Sequence, residues 1–193
     1  MDESTVEHSD SLSRDSGHSE PIKSGVISLF GRSNVGKSTL LNSIIGQKLS
    51  IVSDKPQTTR TRILGVKNYK AGQIVFADTP GVHKPSHRLN VRMVKAAFSA
   101  IRNIDLLALV VDASRNKELE DQTVLRKLET VDVPVFLILN KVDLIKKPSL
   151  LPIIDRYRKA YDFSEYVPVS AIDGFNLDLL EQLFLKHLPE GDP

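Results

Sequence analysis

Residues 31–38, Gly31-Arg32-Ser33-Asn34-Val35-Gly36-Lys37-Ser38, have the form G-x-x-x-x-G-K-[ST]. The apolar run before them, Gly25 to Phe30, reads as a buried strand. Leu41, Ile44 and Ile45 after them read as one face of a helix that Gly46 ends. A strand, a glycine-rich loop and a helix in this order form a phosphate cradle. The glycines let the backbone wrap closely round an anion, successive N–H groups converge on it, and the helix N-terminus adds positive potential. Gly31, Asn34, Val35, Gly36 and Thr39 are expected in the cradle, with Lys37 on the β- and γ-phosphates and the Ser38 hydroxyl on Mg²⁺. This loop alone leaves an ATPase, a small-molecule kinase and a GTPase open.

The rest of the chain alternates short apolar runs with amphipathic stretches. Ile63–Tyr69 and Ile74–Ala77 read as two strands joined at Ala71-Gly72. Val91, Val94, Phe98 and Ile101 recur at helical spacing. Leu106–Val111 and Val135–Leu139 read as buried strands, with a helix marked by Val124, Leu125 and Leu128 between them. Ser149 is expected to cap a helix carrying Leu150, Ile154, Tyr157 and Tyr161 inward. A short strand, Tyr166–Val169, follows. Asn176 is expected to cap a last helix with Leu177, Leu180 and Phe184 inward, stopped by Pro189. Alternating strands and helices imply an α/β domain with a mostly parallel sheet and helices on both faces. In such sheets ligands bind at the carboxyl ends of the strands.

Composition narrows the class further. The 193 residues lack cysteine, which excludes disulfides, thiolate nucleophiles and cysteine-bound metal, and fits a reducing compartment. Leu106–Val111 is far shorter than the roughly 20 residues needed to span a bilayer, and nothing near Met1 reads as a signal peptide. The net charge of +2 conceals two parts. Residues 1–20 hold six serines and six carboxylates against Arg14, a charge of −5, and read as a disordered leader; the remainder carries +7.

Polar motifs follow the later strands. Asp78-Thr79-Pro80-Gly81 places a carboxylate where it can hold Mg²⁺, and a Gly81 N–H that can meet a γ-phosphate. Between the cradle and Asp78 lies the polar stretch Ser53–Arg62. Thr59, with Thr58 as the alternative, could complete the Mg²⁺ shell only when the γ-phosphate is present, ordering the loop with triphosphate. Asn140-Lys141-Val142-Asp143 selects the base. The Asp143 carboxylate can accept from guanine N1–H and its exocyclic amine, whereas adenine offers a lone pair there. Asn140 can tie this loop to the cradle, the Lys141 stem can cover the base, and in Ser170-Ala171-Ile172 the Ala171 N–H can donate to guanine O6. The nucleotide is then GTP or GDP. For hydrolysis, Lys37, Asn34, Thr59 and Gly81 are the candidate catalytic residues. Val82 occupies the position where many GTPases carry a water-orienting glutamine, so slow basal hydrolysis is expected. Asn34 is either a polar filler or a ligand for a monovalent cation, K⁺.

With these motifs in place the chain resembles the Era GTPase family. The resemblance rests on residues 31–42, on the segment Gly46–Arg60 with Lys55-Pro56-Gln57-Thr58-Thr59-Arg60, on Asp78–Pro85 with His87-Arg88-Leu89, and on Leu188-Pro189-Glu190-Gly191. Ser33 stands where the family usually has proline. The resemblance implies a P-loop NTPase of Ras-like GTPase fold: a six-stranded, mostly parallel sheet with one antiparallel edge strand. It implies a leader over 1–22, the G domain over 23–189 and the start of a linker over 190–193. It further implies K⁺-stimulated GTP hydrolysis and a role in maturation of the small (30S) ribosomal subunit, in the cytoplasm or peripherally at the inner membrane, as a monomer. In the family a C-terminal KH domain binds the 3′ region of 16S ribosomal RNA, and no such domain lies within these 193 residues. The basic residues Lys48, Lys55, Arg60, Arg62, Lys67 and Lys70, and Lys84, Arg88, Arg92 and Lys95, are either a solvated surface or weak RNA-phosphate contacts. A nucleotide-dependent binding module with negligible hydrolysis is the alternative function; a small-molecule kinase would leave Asn140–Asp143 unexplained.

Overall fold

A computed structural model of the chain describes residues 22–46, 62–78, 104–115 and 122–191. Its strands are β1 (Lys23–Phe30), β2 (Arg62–Tyr69), β3 (Gly72–Asp78), β4 (Leu106–Asp112), β5 (Val135–Asn140) and β6 (Glu165–Pro168). Its helices are α1 (Lys37–Ile45), α2 (Gln122–Leu128), α3 (Leu150–Ala160) and α4 (Leu177–His187). The sheet order is β2-β3-β1-β4-β5-β6, with only β2 antiparallel to its neighbour. This is the expected six-stranded sheet. The expected helix over Val91–Ile101 lies outside the described residues.

β4 shows why the sheet is buried on both faces. Leu106, Ala108 and Val110 face one core with α1 and α4, while Leu107, Leu109 and Val111 face the other with α2 and α3. Successive side chains of a strand point to opposite faces, so a strand covered on both sides is apolar throughout. Phe136 from β5 stacks on Phe184 of α4 with ring centroids 5.5 Å apart. Each large side chain buried in this way contributes about 1.5–3 kcal/mol.

Helix ends depart from expectation in two places. Ser149 is helical itself, at the end of a 3₁₀ turn over Lys147–Ser149, and makes no capping bond to α3. The turn feeds directly into the helix, so no extended residue is left to act as a cap. The fully buried face of α3 is Ile153 and Tyr157, and Tyr161 lies just beyond the helix. Asn176 precedes α4 in the left-handed region, φ 59°, and its Nδ2 donates to Pro168 O at 2.9 Å instead of its side chain capping the helix. The hairpin turn between β2 and β3 is Lys70-Ala71, one residue earlier than expected.

Lys67 of β2 is tied to Glu181 of α4, with Nζ 2.9 and 2.7 Å from the two carboxylate oxygens, so this lysine is neutralised within the fold. Burial, then the neighbouring Glu181 carboxylate, raises the pKa of the nearby Tyr69 hydroxyl. At the same end of the sheet, Gly191 N–H donates to Ile22 O and Ser24 N–H to Pro189 O. These bonds tie the residues before β1 to those after α4. No helix among the described residues is long and apolar enough to cross a membrane.

Candidate functional site: the cleft at the carboxyl ends of the strands

The chain first adds strands on one side of β1 and then on the other, so β1 lies between β3 and β4. A crevice opens at such a switch point. The loop after β1, the ends of β4 and β5 and the loop after β6 all come to that edge. A cleft of about 650 Å³ opens there, lined by Asn34, Gly36, Lys37, Ser38, Thr39 and Lys141 among others.

Two glycines of the cradle are required by its shape. Gly31 has φ +146°, and a Cβ there would meet Val110 O. Gly36 has φ +97° and caps α1; a Cβ there would meet Asn140 Nδ2. The cradle thus lies directly against β4 and against Asn140 at the end of β5. Asn34 is left-handed at φ 64° and exposed. Ser38 and Thr39 are exposed in the first turn of α1, where helix N–H groups are open to an anion. Lys37 Nζ donates to Gly31 O at 2.7 Å and Arg32 O at 2.6 Å, so the ammonium is folded onto carbonyls of its own loop.

Asn140 joins the parts. It is 1% exposed at the end of β5. Its Nδ2 donates to Val35 O at 2.9 Å, and its Oδ1 accepts from Ala171 N–H at 3.0 Å. One side chain therefore locks the phosphate loop to the loop after β6. The Ala171 N–H, expected as the donor to guanine O6, is already bonded to Asn140, and Ser43 Oγ of α1 donates to Ala171 O at 2.7 Å. The Ala171 peptide is thus held from both sides. Ser170 is buried; its N–H donates to Phe175 O and its Oγ accepts from Asp173 N–H, so it shapes the loop. Ile172 is 78% exposed.

Lys141 adopts φ 64°, and its Nζ donates to Asn34 O at 2.7 Å and to Asp112 Oδ2 at 2.6 Å. Its stem therefore runs from the end of β5 to the cradle. Asp143 lies in a 3₁₀ turn over Val142–Leu144, exposed and without a partner among the described residues. Asp78 ends β3 beside Leu29 of β1. Thr59 and Gly81 lie outside the described residues, as do Thr58 and Val82.

Sequence reasoning missed Asp112 and Ser43. Burial alone would raise the pKa of Asp112, but its hydrogen bonds to Lys141 and Ser114 outweigh that and hold it below the ordinary carboxylate value. Its only signal in the sequence is a carboxylate closing an otherwise apolar strand. Ser43 has none, because its partner is 128 residues away.

Comparison with known proteins agrees with this geometry. A family model described as 50S ribosome-binding GTPase matches residues 26–141. The chain is 49% identical over 171 residues to GTPase Era of Geobacter metallireducens, covering 89% of this chain and 57% of the relative. It is 48% identical over 169 residues to GTPase Era of Ruminiclostridium cellulolyticum, covering 88% and 57%. The chain thus spans little more than half the length of these relatives. Among solved structures, Era in complex with MgGDPNP and nucleotides 1506–1542 of 16S ribosomal RNA superposes with a TM-score of 0.72 at 40% identity, covering 89% of this chain and 59% of that one. A point variant of Aquifex aeolicus Era bound to GDP and AlF4⁻ gives 0.71 at 39%, with the same coverage. The fold is the Ras-like P-loop GTPase fold, and the chain belongs to the family of 50S ribosome-binding GTPases.

Proposed function

We propose that the cleft binds GTP and GDP with Mg²⁺ and hydrolyses GTP slowly, as a switch in assembly of the small ribosomal subunit. The observation that carries this reading is Asn140, whose two buried bonds bring the base-selecting loop against the phosphate cradle. With the loops so joined, a nucleotide whose phosphates lie in Gly31–Thr39 presents its base to Asp143. The carboxylate accepts from guanine N1–H and the amine together, and Ala171 N–H turns to O6 or divides between O6 and Asn140.

The donor set fits Mg²⁺, which keeps most of its waters and takes few protein ligands beside phosphates. The Ser38 hydroxyl, Asp78 and, with triphosphate, Thr59 would hold it; bound there, it neutralises charge between the β- and γ-phosphates. Lys37 must leave the Gly31 and Arg32 carbonyls to meet the same phosphates. Gly81 N–H meets the γ-phosphate. Val82 cannot orient water, so turnover is slow until another element supplies charge, and Asn34 serves that end by helping to hold K⁺. Ribosomal RNA is the partner named for the solved Era complex. We assign this chain the same assembly pathway, in the cytoplasm and as a monomer, but not direct RNA binding by the described surface, where Lys67 is already paired with Glu181.

The test is phosphate release from GTP under single turnover, in K⁺ and in Na⁺. Slow release that is faster in K⁺ is expected. Equal rates would remove the cation role of Asn34. Bound GTP with no release would leave a nucleotide-dependent binding module in place of the enzyme.

A further inference from the structure

Asp112 is the last residue of β4 and the only polar residue in that strand. It lies beside Asn140 in the β4–β5 register, one residue from the start of the base-selecting loop. Its side chain is 5% exposed. Oδ2 accepts from Lys141 Nζ at 2.6 Å, while Oδ1 accepts from Ser114 N–H at 3.0 Å and from Ser114 Oγ at 2.6 Å. Arg115 Nε lies 3.7 Å from Oδ2 on the exposed side. Both oxygens of this carboxylate therefore accept hydrogen bonds, and one is aimed at the lysine that spans the cleft.

We propose that Asp112 is a positioning residue for the base site: by anchoring the Lys141 ammonium it holds the lysine stem as a wall over the guanine and sets how long the nucleotide stays bound. A lysine has a long flexible stem and readily takes other rotamers. Here Lys141 is fixed at its root by a left-handed backbone and at its tip by two acceptors, Asn34 O and Asp112 Oδ2. The carbonyl is neutral, so the charge-assisted bond to the carboxylate is the stronger restraint. Because the same ammonium also grips the cradle at Asn34, Asp112 reaches the phosphate loop through Lys141. The wall faces the base, not the γ-phosphate, so its loss should weaken GDP and GTP binding alike.

This proposal rests on the guanine-nucleotide reading above, and its test separates the two. Release of a fluorescent (mant) GDP is followed in wild type, Asp112→Asn, Asp112→Glu, Lys141→Met and the Asp112→Asn/Lys141→Met double variant, below the lowest melting temperature. Asp112→Asn is expected to speed release roughly tenfold, the scale of one charge-assisted bond, and by the same factor for mant-GTP. Asp112→Glu keeps the charge and is expected to release more slowly than Asp112→Asn; if shape alone mattered, the isosteric Asn would be the milder change. In the Lys141→Met background the Asn substitution should add less than about a factor of two. Wild-type release from Asp112→Asn, a milder effect for Asn than for Glu, or an undiminished factor in the double variant would each overturn the proposal. Failure of the wild-type protein to hold mant-GDP would instead overturn the guanine reading beneath it.

Discussion

The two ends of the cleft are built differently. At the base end, side chains are bonded across elements. Asn140 ties two loops, Lys141 is held by Asp112 and Asn34, and the Ala171 peptide is gripped at both its N–H and its C=O. At the cradle end, Lys37, the proposed phosphate contact, rests on carbonyls of its own loop, and Ser38 and Thr39 face outward. The contrast separates two tasks. Reading a base requires fixed donors and acceptors, because discrimination comes from groups left unpaired by the wrong base. Binding phosphate requires a strong positive field and a lysine that can change partners. The first should be costly to the fold when broken, and the second costly to binding alone.

Asn140→Ala should break the base end most severely. It orphans Val35 O and Ala171 N–H, each at about 1–3 kcal/mol, and so should lower unfolding free energy in urea by about 2–6 kcal/mol. Nucleotide affinity, read by fluorescent GDP titration, should fall by at least about a hundredfold, since both loops lose register. Lys37→Ala is the mirror case: affinity should fall by about a hundredfold, the scale of two charge-assisted bonds to phosphate, while the urea midpoint shifts by less than the equivalent of about 1.5 kcal/mol. Equal stability losses in the two variants would erase the distinction between the ends.

Asp112 gives a pH signature at the base end. Its folded pKa lies below the ordinary 3.8, so between the two values the unfolded chain binds more protons than the folded one. Its stabilisation is then complete above the ordinary value and is lost as pH falls through the folded one. Asp112→Asn should flatten the acid limb of stability against pH below about 4 and leave the slope near neutrality unchanged; an unaltered acid limb would dismiss the pairing with Lys141. Ser43→Ala should give the smallest effect, about 1 kcal/mol, with a slight increase in nucleotide release, because it frees only the Ala171 carbonyl.

The parts of this design that the sequence discloses are those set by local rules. The apolar runs of β1 and β4, the glycines at 31 and 36 and the motif after each strand all follow from neighbouring residues, and the sheet and the cradle are where they predict. Even the bond from Asn140 to the cradle is legible, because the motif's chemistry demands a tether. Ser149 is not a cap because the preceding 3₁₀ turn over Lys147–Ser149 continues directly into α3. Asn176 was misread as a side-chain cap because Pro168 O, eight residues earlier, captures its amide. Asp112 leaves one weak signal and Ser43 none, because Lys141 and Ala171 come from distant loops that only the fold brings to them.

The central claim is that this cleft reads guanine through Asp143. The most direct measurement is a competition between GDP and xanthosine diphosphate for wild type and for Asp143→Asn. Wild type should prefer GDP, and the variant should reverse that order, because its amide offers a donor to the xanthine C2 oxygen where the carboxylate offered only an acceptor. An Asp143→Asn protein that kept the wild-type preference for GDP would contradict the claim.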